Sequence, residues 1–80
     1  MTERRIGPGA RALLGVGLTQ GEVARAAGLS QKHVSRVLRG DAPRETTERV
    51  LGAITALGGI AAAAQVAAAV MLAEQDERDR

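Results

Sequence analysis

The chain has no cysteine, so neither a disulfide nor a thiolate metal site is open to it. One histidine leaves no ligand set for zinc, and no metal or other cofactor is expected. Phe, Tyr and Trp are absent as well. Aromatic rings are the large anchors of most cores. Without them the interior must be Leu, Val, Ile and Ala, a composition that suits close helix packing, and a pocket lined by rings is excluded. There is no Gly-rich phosphate loop followed by Lys-Ser or Lys-Thr, and no paired nucleophile and base. The chain does not read as an enzyme. Arg4 and Arg5 are followed by a Gly-Pro-Gly break instead of an apolar run, so no secretory leader is expected. The lack of cysteine fits a reducing cytoplasm.

What is present is eighty residues, enough for one small domain with a thin stability margin that oligomerisation would widen. The net charge of +2 conceals an asymmetry. Residues 1–49 hold nine Arg or Lys against five acids, and residues 50–80 hold two against four. The basic half is the part suited to a polyanion. Residues 50–73 carry no charge over a length sufficient to cross a bilayer. Yet this run is mostly Ala, Gly58-Gly59 interrupts it and Gln65 follows, so no membrane association is expected.

The chain divides by its punctuation. Residues 1–9 are polar, close with Gly-Pro-Gly and read as a flexible basic arm. A short first helix follows with Leu13, Leu14 and Val16 as its apolar positions, ended by Gly15 and Gly17. Thr19 and Glu22 have the spacing of a capping box, and Val23, Ala24 and Ala27 line one helical face. Gly28 is a stop signal, free to take a positive φ. Leu29 is expected to point inward, and Ser30 to cap the next helix. That helix runs from Gln31 to about Arg39, with Val34, Val37 and Leu38 as its apolar back. Lys32, His33, Ser35, Arg36 and Arg39 are left for its front and flanks. Two helices joined by so short a Gly-Leu-Ser turn must cross steeply, the geometry that lays a second helix in the major groove of DNA.

Pro43, Glu45 and Glu48 favour the start of a fourth helix, whose stripe of Val50, Leu51, Ile54 and Leu57 should close the core before Gly58. An Ala-rich fifth helix with Ile60, Val66, Val70, Met71 and Leu72 spread around it runs into an acidic end. A helix apolar on most sides wants cover on most sides, and a partner chain is the expected source. The fold class is thus all-α: a compact four-helix helix-turn-helix domain over 10–58, an Ala-rich fifth helix over 59–75 and a charged tail over 76–80. Dimerisation is assigned to Ile60, Ala63, Ala67, Val70 and Met71.

The run "GLTQGEVARAAGLS" followed by "VSRVLRG" resembles the Cro and lambda-repressor type of helix-turn-helix. The run "EVARAAGLSQKHVSRVLRG" followed by "ETTERVLGAITALG" is similar to Lac-repressor-type headpieces. Together the resemblances cover residues 18–58. The loop "GDAP" is shorter than in Lac-type headpieces, and neither a minor-groove hinge helix nor a sugar-binding domain is recognisable, so no small-molecule inducer is expected. The resemblance implies that Gln31, Lys32 and Arg36 read bases. Glutamine suits adenine and arginine suits guanine for bidentate pairing. It further implies backbone contacts from Gln20, and from Thr19 and Ser30 where helix N-termini favour phosphate. His33, Ser35 and Arg39 complete the expected phosphate contacts. Each has a plainer reading: Gln31, Lys32 and His33 as solvated surface, Arg36 paired with Glu22, Thr19 and Ser30 as caps alone.

The expectation is a sequence-specific regulator of double-stranded DNA. It would be a dimeric repressor of phage or plasmid type on a pseudo-palindromic operator, acting in the cytoplasm at the nucleoid. The rivals are an architectural or partition-type protein that spreads along or bridges DNA, and an antitoxin-like module that binds another protein.

Overall fold

A computed structural model describes residues 7–78, with side chains through Gln75. Arg4 and Arg5 of the expected arm, and the side chains of the charged tail over 76–80, lie outside the described residues. The elements are α1 (Pro8–Gly15), α2 (Gln20–Ala27), α3 (Gln31–Leu38) and α4 (Arg44–Arg78), with no strand among the described residues. The fold is all-α, as the absences and periodicities predict.

α1 begins earlier than its sequence implies. Pro8 stands in the first turn, where its fixed φ suits a helix and its missing N–H is no loss. The Gly-Pro-Gly segment is therefore the helix start and not part of an arm. Gly9 is buried, and a Cβ added there would collide with the Leu38 carbonyl and stand 2.9 Å from its Cα. The bare glycine lets α1 lie directly on the end of α3. Leu13 is buried on the inner side of α1, whereas Leu14 faces out.

The capping box of α2 is formed. Thr19 Oγ1 accepts from the Glu22 backbone N–H at 3.1 Å, and Glu22 Oε1 accepts from the Thr19 N–H at 3.0 Å. Gly28 closes α2 in the left-handed region at φ 69°, and the Leu29 N–H returns to the Ala24 carbonyl at 2.9 Å, the pattern that satisfies orphan carbonyls at a helix end. Leu29 is half-buried against the core. Ser30 caps α3 by accepting from the His33 N–H. Val34, Val37 and Leu38 are almost completely buried.

The expected fourth and fifth helices are two arms of α4, broken at Gly59, whose φ of 91° and ψ of 172° are not helical. That left-handed φ is strongly disfavoured for any residue with a Cβ. α4 touches all three other helices. Gly40 abuts the backbone of Ala73 and Glu74, which brings the far end of the second arm beside the loop after α3. Ala62, Val66, Ala69 and Val70 are buried. Much of the cover expected from a partner is thus supplied by the chain itself. By length and composition α4 is apolar enough to cross a membrane, but it is bent at Gly59 and packed on its own domain. The inward face of its first arm is Val50, Ala53 and Ile54. Leu57, expected to close the core, is 44% exposed, and Leu51 is half-buried.

The α1–α3 contact yields a test with two glycines of one helix. Gly9→Ala drives a methyl into backbone and should destabilise by about 2 kcal/mol, the scale of core overpacking. Gly15→Ala meets open space and should stabilise by about 0.5 kcal/mol. Denaturant titration of both variants checks the sign of each.

Candidate nucleic-acid interface

α3 presents a face with no acid. Its buried residues define an inner line, and at 100° per residue Lys32, Arg36 and Arg39 fall opposite that line. All three are exposed. Gln31 and the half-buried Ser35 fall on one flank, His33 on the other. The resulting surface offers guanidinium, ammonium, amide and imidazole groups on a helix whose back is fixed by the core. Such a row matches what a major groove displays: base-edge acceptors within, phosphates on both sides.

The flank bearing Gln31 faces α2. Its amide lies beside Gly21, next to Gln20 at the start of α2. The two helix N-termini are thereby adjacent, and the expected residues Thr19, Gln20 and Gln31 are gathered at one end of the site. Thr19 and Ser30 are exposed caps, so each already has a structural task through its oxygen. The Ser30 hydroxyl is also 2.7 Å from His33 Nδ1, which ties the imidazole back to the helix start and leaves Nε2 as its free edge. His33 lies on the opposite side of α3 from Gln31, and Ser35 is shielded more than the other polar side chains of α3.

Arg36 has a different neighbour from the one its sequence surroundings indicate. Glu22 is held by the Thr19 backbone, while Asp41 Oδ2 lies 3.9 Å from an Arg36 terminal nitrogen. The reason is local: after α3 the chain turns through Gly40, and the Asp41 N–H bonds the Arg36 carbonyl at 2.9 Å. Both side chains are more than half exposed, so the pair contributes little to stability. Its interest is that it places one acid at the edge of a cationic face. Asp41 was not a sequence candidate; the signal was the glycine one residue before it.

The assigned dimerisation residues do not share one environment. Val70, 2% exposed, is part of the domain's own core and out of reach of a partner. Ala63 packs partly against the same core, and Ala67 is half-buried. Ile60 and Met71 are 80% and 66% exposed. They lie on one outward line with Ala64 and Ala68, flanked by Leu72.

Among the described residues no three His, Asp or Glu side chains are grouped as metal ligands. No curated protein and no solved structure matches the chain. A helix-turn-helix family model matches residues 10–62, which contain all of α3 and the first three residues after Gly59. That match supports the Cro-type resemblance and does not extend to the Lac-type one. With two thirds of its length so matched, the chain belongs to the Cro-type helix-turn-helix family of DNA-binding transcriptional regulators.

Proposed function

We propose that the protein is a sequence-specific repressor that binds a pseudo-palindromic operator as a dimer, with α3 in the major groove of each half-site. The observation that carries this reading is the acid-free face of α3 set opposite a fully buried apolar back. Gln31, Lys32 and Arg36 are assigned to bases. Thr19, Gln20, Ser30, His33, Ser35 and Arg39 are assigned to the phosphates. Phosphate contacts from the cationic groups supply salt-sensitive affinity, and bidentate side chains supply choice among bases, about 1–3 kcal/mol for each good pair. No cofactor or inducer enters this scheme, and the protein acts where the DNA is, at the nucleoid.

One domain reads few bases, which is why a second copy is invoked. Half-sites one helical turn apart are separated by roughly 34 Å, and the domain measures 33 × 29 × 23 Å. Two copies side by side therefore fit that spacing without a linker. The surface proposed for their contact is the outward line of Ile60, Ala64, Ala67, Ala68 and Met71. It is uncharged. The family domain and the proposed pairing surface thus overlap only at the beginning of the second arm.

Selection from a random DNA library checks the base assignment. Wild type should enrich an inverted repeat, and Gln31→Ala and Arg36→Ala should each lose preference at one base pair per half-site. Both variants retain the fold because both side chains are exposed. Salt-sensitive binding with no enriched motif would favour the architectural rival instead.

A second measurement addresses assembly. Ile60→Lys with Met71→Lys should leave the melting temperature nearly unchanged, since both positions face solvent. The double variant should bind one half-site and lose cooperative occupation of two, seen by light scattering with operator DNA. A wild-type protein that stays monomeric both free and on its operator would sink the dimer.

A further inference from the structure

Gly21 stands in the first turn of α2, half-exposed, with a φ that is not positive. Nothing in its backbone conformation requires glycine. Relative to alanine a glycine in a helix interior costs roughly 0.5–1 kcal/mol; the first turn carries part of that cost, and the choice of glycine calls for another cause. An added Cβ would stand 3.2 Å from Gln31 Nε2 and 3.9 Å from Gln31 Cδ. The Gln31 amide thus rests on the bare backbone of α2's first turn, in the space a side chain at 21 would occupy. The third neighbour, Thr19 Oγ1 at 3.9 Å, is fixed by its own bond to the Glu22 N–H. The group that must give way is therefore the amide.

We propose that Gly21 is a specificity-determining position that acts through Gln31: its missing side chain seats the Gln31 amide against α2 and sets the direction in which that amide meets a base edge. The inference rests on the reading of Gln31 as a base contact. Bidentate pairing with adenine requires the amide oxygen and nitrogen to meet N6 and N7 together. A displacement of a few tenths of an ångström at Nε2 tilts that pair of atoms and weakens one of the two bonds. Gly21 touches no base in this scheme. It is a positioning residue, and stability and recognition respond to its replacement in opposite directions.

The test is a cycle of four full-length proteins: wild type, Gly21→Ala, Gln31→Ala and the double variant. Each is assayed for thermal melting and for binding to the selected operator and its single-base variants. Gly21→Ala should melt higher than wild type and lose about fivefold or more of its discrimination at the base pair assigned to Gln31, the low end of what a bidentate pair provides. Discrimination at the other base pairs should persist. In the Gln31→Ala background the same substitution should change no preference. Retained discrimination in Gly21→Ala, beside its loss in Gln31→Ala, overturns this inference alone. An equal loss in both backgrounds also overturns it, because Gly21 would then act on DNA directly. If Gln31→Ala leaves every preference intact, the base reading falls and this inference with it.

Discussion

A core without one aromatic ring can be closed only by bringing backbones together, and the rest of the structure follows from that constraint. Valine and alanine side chains span little distance, so helices must touch where larger residues would hold them apart. Gly9 against the Leu38 carbonyl and Gly40 against Ala73 and Glu74 are the points where the approach is tightest. Both contacts flank the end of α3. The recognition helix is therefore fixed from behind by Val34, Val37 and Leu38, from α1 at its last turn, and from the second arm of α4 just beyond it. A helix held at its back and its end can present a polar face with little freedom left to lose on binding, which is where rigid binders gain affinity.

The turn between α2 and α3 shows how much of this was legible. Capping box, glycine stop and serine cap are local devices, each satisfied within a few residues, so Thr19, Glu22, Gly28 and Ser30 announce their roles in the sequence. The back of α3 was legible for the same reason: three apolar residues in a polar helix leave one way to orient it. What did not read out depends on contacts between distant segments. Leu57 has the spacing of a core residue yet is exposed, because the helix breaks two residues later and the chain redirects its apolar face. Val70 looks like surplus apolar surface in an Ala-rich run with weak periodicity, and only the bend at Gly59 shows that its own domain covers it.

The site itself divides along the same line. That Lys32, Arg36 and Arg39 point outward follows from 100° steps around α3. That Gln31 leans on α2, that His33 is tied to Ser30 and that Asp41 returns toward Arg36 follow from how two helices and a loop meet. These last three adjust a recognition surface without adding to its charge. In the proposed scheme an acid at the edge of this face repels phosphate wherever it is met, and its pairing with Arg36 competes with the base assigned to that side chain. If α3 enters a groove as proposed, side chains held back from it and side chains aimed into it both contribute to discrimination.

The burial of Val66 and Val70 within one chain also bears on assembly. An obligate dimer places its large apolar residues across the interface and has no complete core without its partner. Here the monomer's core is closed; Leu14, Leu57 and Leu72 are exposed too, but the line proposed for pairing is narrow, with Ile60 and Met71 as its large members. Burying such a side chain contributes roughly 1.5–3 kcal/mol, so four of them across a two-fold axis give on the order of 6–12 kcal/mol. Association itself costs an estimated ~4–15 kcal/mol. On this surface the proposed pairing is close to balance in free solution. Two half-sites on one duplex change that balance by holding the second domain at an effective concentration on the order of millimolar. In the proposed scheme the operator is the template for the dimer that reads it, and occupancy depends steeply on protein concentration even though the core is closed within one chain.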